Sequence, residues 1–345
     1  MNTFLRLIKK SAHFASVKQF QVIIFFLALL AYASTGYLYF EQNANPNLTW
    51  LDSLWWSIVT ITTVGYGDYF PATTGGRIFV GFPVMILGIG VLGYILSLLA
   101  TAMVESKRQE VRGMSEIKLS NHIIIANYIS LEKTSKLVEE IRKDTKTQNT
   151  PIVLISEQIE ELPKTLLKQN VKFIKGSPTR EESLRQASVD FANSIIVQAD
   201  VSDGINSDNQ NLKIMLSINS ISPEIFSIVE CVLPENEAFL QKANCNSIVC
   251  ISSLTEQMLV QEMQDPGVTR VITDLTSNSI AQQLYIINAP NNAKTLGQVK
   301  KTISENIIIL GVKRNNENIF CNTDNFSLQS DDKVILIAKT RPTNS

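Results

Sequence analysis

Two long uncharged stretches, separated by a mixed one, dominate the first third of the chain. Residues 20–40 read FQVIIFFLALLAYASTGYLYF with no charge before Glu41, and the run from Ile78 to Val104 is also uncharged. Each supplies the ~20 apolar residues a helix needs to cross a bilayer's hydrocarbon, which predicts two spanning helices. A cleaved signal peptide fits the first run poorly, because it is too long and a second span follows it. Between them, Trp50 to Thr62 carries apolar residues at helical spacing, and Thr49 with Asp52 suits a capping box at a helix start. That helix is too short to span. It should dip into the membrane and stop near Thr62, aiming its partly negative carbonyl end inward.

After Lys118 the pattern changes to short apolar runs alternating with amphipathic ones. Strands are predicted at 122–126, 151–155, 171–174, 194–197, 227–231 and 247–250, with helical stretches such as 132–142, 180–188 and 208–220 between them. This is the βαβ rhythm of a doubly wound parallel sheet. A ligand in such a sheet sits at the carboxyl ends of the strands, here near 126–130, 157, 176–177 and 198–200. Past Thr276 a smaller lobe has strands near 306–313 and 333–338.

Charge fixes orientation. Arg6, Lys9, Lys10 and Lys18 precede the first span, and Lys107, Arg108, Arg112 and Lys118 follow the second; only Arg77 stands between. The positive-inside rule then places both termini in the cytoplasm. The four cysteines lie in a reducing compartment and are expected as free thiols. Only His13 and His122 are present, so a histidine-based triad or metal centre is not expected. With 31 basic and 32 acidic residues, nothing points to nucleic acid.

The chemistry lies in TITTVGYGD, residues 60–68. These side chains offer no nucleophile, base or metal cluster, so the backbone must act. Alternating left- and right-handed residues, which Gly65 and Gly67 permit, would turn successive carbonyls to one side. Bare backbone at membrane depth is tolerated only in protein or along an aqueous cavity, and rings of carbonyls can replace a cation's water shell. The segment Thr63-Val64-Gly65-Tyr66-Gly67 resembles the signature of the potassium-channel family. That resemblance implies a homotetramer passing K⁺, with ions held by the carbonyls of Thr63, Val64, Gly65 and Tyr66 and by the Thr63 hydroxyl. It also implies that Trp55 and Asp68 brace this filter, and that Gly88 is a gating hinge; plain helix packing is the other reading of Gly88. Val59 stands where some members carry a glutamate paired to the aspartate. No arginine-rich helix precedes the pore, so no voltage sensor is expected. Gly88-x-Gly90-x-x-Gly93 mimics a dinucleotide fingerprint but lies within an apolar span, where that motif has no strand or phosphate to serve.

Residues 171–197, with Gly176-Ser177-Pro178-Thr179, resemble the RCK (regulator of potassium conductance) domain, and the likeness continues through 225–275. The expected fold is therefore a two-helix transmembrane potassium-channel pore plus a cytoplasmic α/β Rossmann-like RCK domain with a small α+β C-terminal lobe. The domains are an N-terminal amphipathic segment (1–18), the pore (19–104), a linker (105–119), the Rossmann-like part (120–275) and the C-terminal lobe (276–345). Two regulatory ligands are open. NAD or an adenine nucleotide would use Ala126, Asn127, Tyr128, Glu157, Gly176 and Ser177, although Tyr128 replaces a fingerprint glycine; otherwise the cleft is empty and serves assembly. For Ca²⁺ the candidates are Glu230, Asp200 and Asp203: the family's acidic positions fall here on Gln198, Glu230 and Val232, one acid of three, and a different set is offered by Asp200, Asp203, Asp208, Glu235 and Glu237; otherwise these acids are a solvated surface. The resemblance implies a pore in an inner membrane gated by a cytoplasmic octameric ring of RCK–RCK dimers; a soluble product starting near Met114 is one source of the ring's second layer, and otherwise Met114 is an ordinary linker methionine. The alternatives in other classes are a membrane-anchored dinucleotide enzyme and the regulatory subunit of a potassium transporter.

Overall fold

The computed structural model describes residues 17–278, 282–290, 293–303 and 307–342. The N-terminal segment predicted over 1–18 lies outside the described residues except for its last two positions, which begin a helix. The chain divides into two compact units at Lys107/Arg108.

The first unit contains α1 (Val17–Glu41), α2 (Trp50–Ile61) and the start of α3 (Phe82–Val111). A short helical turn at Thr74–Gly76 and a π-helical segment at Arg77–Gly81 lead into α3. The predicted capping box is present: the Thr49 hydroxyl accepts from Asp52 N–H, and the Asp52 carboxylate accepts from Thr49 N–H. Leu29, Ala33, Tyr37, Trp56, Ile61, Val80 and Val84 form one buried cluster in which the three helices meet. Outward-facing Phe20, Ile23, Phe79, Phe82 and Ile86 stay exposed. An apolar exterior around an apolar interior is what a lipid solvent demands, and both helices are long and apolar enough to cross a membrane. α3 does not end with the uncharged run. The helix-favouring sequence ESKRQEV carries it on to Val111.

The second unit is built on a six-stranded parallel sheet. β1 (Ile123–Ala126), β2 (Ile152–Ser156), β3 (Val171–Lys175), β4 (Ser194–Val197), β5 (Phe226–Cys231) and β6 (Ser247–Cys250) lie in the order β3-β2-β1-β4-β5-β6. All six occur where the sequence predicted them. Both faces are buried, so β1 reads as a continuous apolar run: Ile124 and Ala126 join one core, Ile123 and Ile125 the other. Helix α4 (Leu131–Lys143) packs Val138 on the second face, and α5 (Lys164–Lys168) adds Leu166. Helices α6 (Glu181–Gln186), α7 (Ile205–Ile221) and α8 (Glu237–Lys242) cover the first with Leu184, Ile214, Ile218 and Leu240. The strand order reverses between β1 and β4, and a crevice opens at that switch point.

The stretch expected as a linker is not a free tether. Val111 O accepts from Leu162 N–H, Gly113 O from Lys175 N–H, and Ile117 N–H donates to Gln186 O while its side chain enters the core. The smaller lobe pairs β7 (Gln283–Asn288), β8 (Ile308–Arg314), β9 (Glu317–Phe320) and β10 (Lys333–Ala338) antiparallel in the order β7-β10-β8-β9. β8 and β10 match prediction. β7 and β9 were not foreseen: β7 carries the apolar run Leu284 to Ile287 but buries only alternate residues of it, and β9 is almost wholly exposed.

Candidate functional site

The segment after α2 has the predicted alternation. Thr63, Gly65 and Gly67 have φ of 61°, 60° and 79°, while Val64 and Tyr66 remain on the negative side. Thr63 is the notable member, because a β-branched residue at positive φ is strained. The loop hangs from the helix above it: Val64 and Gly65 N–H both donate to Val59 O, at 3.0 and 3.3 Å. Residues 63–68 are otherwise exposed in the single chain.

Behind the loop stands a frame of aromatic and acidic side chains. Trp55 Nε1–H donates to Asp68 Oδ2 at 2.8 Å, and the Trp55 and Tyr66 rings stack at 5.9 Å. Trp55 and Asp68, each expected from resemblance as a brace, are thus bonded to each other within one chain. The Tyr69 hydroxyl donates to Asp52 Oδ1 at 2.8 Å, and Tyr37, stacked on Trp56 at 4.3 Å, donates to Phe70 O at 3.2 Å. Sequence reasoning used Asp52 only as a helix cap; its second oxygen makes it a brace as well. Val59 is buried against the loop's rear, where a cavity of about 350 Å³ is lined by Trp56, Val59, Thr63, Gly65, Met85 and Ile89.

Gly88 is buried in an unbroken helix, and a Cβ there would lie 3.2 Å from Ile61 Cα. In this conformation Gly88 lets α3 approach the end of α2 closely, which is the packing reading.

In the second unit the switch-point crevice is partly filled from within. Asn127, at φ 71° and nearly buried, donates to Gln198 O and Asn211 Oδ1, both at 3.1 Å. The Thr134 hydroxyl donates to Gln198 Oε1. Ala126 is buried, and Tyr128 packs against the sheet's second core, where burial raises its pKa. Gly176 N–H donates to Ser156 O, and a Cβ on Gly176 would overlap the Ser183 hydroxyl. The open space lies to one side, a polar cleft of about 430 Å³ lined by Glu157, Ser177, Thr179, Asp203, Asn206, Asn209, Gln210 and Lys213. Of the six nucleotide candidates, only Glu157 and Ser177 line it.

The calcium candidates are not brought together. Among the described residues no group of three His, Cys, Asp or Glu side chains could hold a metal ion. Glu230 is ion-paired to Lys133, whose ammonium also donates to Ala199 O at 2.8 Å. Asp200 caps a turn, and hydrogen bonds from Ser202 lower its pKa. Asp203 faces the cleft and accepts from Asn206 Nδ2. Lys133 was the missing signal: a lysine one turn into the first helix reaches the fifth strand. Asp208, another acid considered for calcium, is buried and accepts from Val232 N, Leu233 N and Asn236 Nδ2, which makes it a structural lock at the exit of β5.

Residues 24–105 match the family model for an ion channel, and residues 118–229 match that for the calcium-activated potassium channel slowpoke-like RCK domain. The chain belongs to the potassium channels that carry an RCK regulatory domain. It is 25% identical to the calcium-gated potassium channel TvoK of Thermoplasma volcanium, over 99% of this chain and 97% of that protein. Potassium channel protein 1 of Methanocaldococcus jannaschii is 28% identical over 76% of this chain and 78% of its own length. Among solved structures, the GsuK channel overlaps with a TM-score of 0.48 at 21% identity, over 93% of this chain and 57% of that one. The human SLO3 gating ring gives 0.48 at 17%, over 64% and 44%. The chain thus spans less than two thirds of either solved chain. The named relatives are channels and not enzymes, so the dinucleotide-enzyme alternative falls.

Proposed function

We propose that this chain is the subunit of a K⁺-selective pore in which four copies surround an axis and offer the carbonyls of Thr63, Val64, Gly65 and Tyr66, with the Thr63 hydroxyl, to a dehydrated ion. Gly67 closes the loop, and Trp55 and Asp68 hold its radius. The observation that carries this reading is the positive φ at every second residue from Thr63 to Gly67, since such alternation lines carbonyls along one side. K⁺ then passes down its electrochemical gradient. Both termini face the cytoplasm of a cell bounded by this inner membrane, as the flanking lysines and arginines require.

Gating belongs to the RCK unit. Its cleft offers a carboxylate at Glu157, hydroxyls at Ser177 and Thr179, amides at Asn206, Asn209 and Gln210, and a cation at Lys213. This mixture suits a ligand with sugar hydroxyls and an anionic group, an adenine nucleotide or NAD. Ca²⁺ is the second candidate, because a relative is named as calcium-gated; with Glu230 held by Lys133, it would need a site other than the one first considered. A ligand that prefers one gate conformation shifts the population, and ~5.5 kcal/mol of differential binding moves 1:99 to 99:1.

Helix α9 (Ile251–Gln264) buries no residue in one chain and leaves Leu254, Leu259, Val260 and Met263 exposed. That surface supports RCK–RCK pairing in an octameric ring. A soluble product from Met114 would complete the ring's second layer. Purified protein in liposomes should release K⁺ but not Na⁺, and a thermal-shift series with ADP, ATP, NAD and Ca²⁺ identifies the ligand. Equal release of the two ions refutes the pore assignment.

A further inference from the structure

β5 and β6 are neighbouring parallel strands, and the last residue of each is a cysteine. Cys231 stands directly opposite Cys250 in a register that begins with Ile228 opposite Ser247. Both cysteines belong to the same core cluster, so their side chains share one face of the sheet. Adjacent strands lie about 4.8 Å apart. That falls inside the roughly 4.4–6.8 Å a disulfide allows between Cα atoms, and short of the commonest spacing, about 5.5–6 Å. Neither Cys245, ahead of β6 at its other end, nor Cys321, just after β9, lies in a strand opposite a cysteine.

The two thiols are not equivalent. Cys231 is fully buried, and its S–H lies 3.1 Å from Leu233 O and 3.6 Å from Asp208 Oδ2. Burial, the Asp208 carboxylate and the neighbouring Cys250 sulfur together push it up to about 12, so it is held as a thiol. Cys250 is 9% exposed, and its sulfur accepts from Ser253 Oγ–H at 3.4 Å. It is also the N-cap of α9, at the positive pole of that helix, where charge developing on an attacking sulfur is stabilised. One cysteine is thus placed to attack and the other to resolve.

Each also marks a joint. Cys231 closes β5 beside Asp208, which holds the strand's exit through Val232 N, Leu233 N and Asn236 Nδ2. Cys250 is the junction between β6 and α9, a helix that buries no residue within one chain. A bond between the sulfurs would tie the first turn of a weakly anchored helix to a locked strand exit.

We propose that Cys231 and Cys250 are a reversible modification site, a dithiol that hydrogen peroxide closes to a disulfide and a small dithiol reductant reopens. The Cys250 sulfur attacks the O–O bond, which gives a sulfenic acid and releases water. The Cys231 sulfur then attacks the sulfenic sulfur; the S–S bond forms, and the hydroxyl leaves with the Cys231 proton as a second water. Two thiols and one peroxide become one disulfide and two waters. Reopening by thiol–disulfide exchange returns the two electrons and oxidises the dithiol reductant to its own disulfide. The short strand spacing strains the closed bond, which makes it of the readily reduced, regulatory kind. Because α9 carries the surface assigned above to RCK–RCK pairing, closing the bond acts on the gate. That consequence rests on the pairing reading; the disulfide itself does not.

The test is mass-spectrometric peptide mapping of the full-length channel in detergent after hydrogen peroxide, without reduction. Trypsin leaves Cys245 and Cys250 together on residues 243–270, and fragment spectra with the Cys245→Ser variant tell them apart. Most chains should carry a link from this peptide to residues 214–242 through Cys250 and Cys231, and dithiothreitol should remove it. A link through Cys245, or Cys250 oxidised to a sulfinic acid beside a free Cys231, overturns the proposal. In liposomes, K⁺ flux should change several-fold on oxidation, return with dithiothreitol, and stay constant in Cys231→Ala, or in Cys250→Ala if the first does not assemble. A linked channel with unchanged flux overturns its role as a switch. Absence of K⁺-selective flux in the reduced wild type is a failure of the pore reading alone, because the map on the same protein still decides the disulfide.

Discussion

Replacing Gly65 with alanine isolates the backbone's part in ion selection. No atom lies within 4 Å of the Cβ that alanine would add, so the change brings no clash within the chain. What it brings is a φ of +60° imposed on an L-residue, a conformation that costs roughly 1 kcal/mol more than for glycine. If the conductive filter needs all four copies in register, the penalties add to roughly 4 kcal/mol, a ~1,000-fold loss of the conductive form. The assay is K⁺ efflux from liposomes at matched channel density, with Na⁺ permeability measured in parallel. D-alanine at the same position, introduced by semisynthesis, prefers positive φ and should retain selective conduction. An L-alanine channel that conducts and discriminates as well as wild type, or a D-alanine channel as defective as the L form, refutes the reasoning.

Three further outcomes follow from the cytoplasmic unit. His122 is buried with one ring nitrogen against Ala187 O and the other without a partner, and burial lowers its pKa. The unfolded chain therefore binds this proton first. The resulting stability is present above about pH 6.5 and is lost below it at up to ~1.4 kcal/mol per pH unit; denaturant melts from pH 8 to 5.5 should show this loss, and His122→Leu should flatten it. Burial pushes the thiols of Cys231 and Cys245 up to about 12 and 11, so both should resist iodoacetamide at pH 7.5 in the folded protein and react on unfolding, read by mass spectrometry. Asp332, at 1% side-chain exposure, takes a two-pronged contact from Arg314 that lowers its pKa; Asp332→Asn should lower the midpoint of denaturant melts, because it removes the charge that both guanidinium nitrogens face and the acceptor for Gln329 N–H, and an unchanged midpoint denies the pair that role.

The sequence displayed its architecture where periodicity was strong and its site where a motif carried geometry. The capped helix at Trp50 and all six parallel strands were legible because each is buried on a face wide enough to force an apolar pattern, and both spanning helices because a lipid solvent demands an apolar exterior as well. The alternation at Thr63, Gly65 and Gly67 was legible from glycine spacing, although positive φ at Thr63 was not, since nothing local favours it there. Long-range polar partnerships stayed hidden. Lys133 with Glu230, Asp208 with the exit of β5, and Glu41 with Thr73 join residues 97, 24 and 32 positions apart, and no local pattern encodes them. Of the two edge strands, β9 is almost wholly exposed and shows little apolar periodicity, while β7 did carry an apolar run, Leu284 to Ile287, that was passed over.

The central claim is that bare carbonyls of residues 63–66 select K⁺ over Na⁺. The most direct measurement is the reversal potential of the purified channel in a planar bilayer with K⁺ on one side and Na⁺ on the other. The account predicts a potential close to the K⁺ equilibrium value, and a reversal near zero would contradict it.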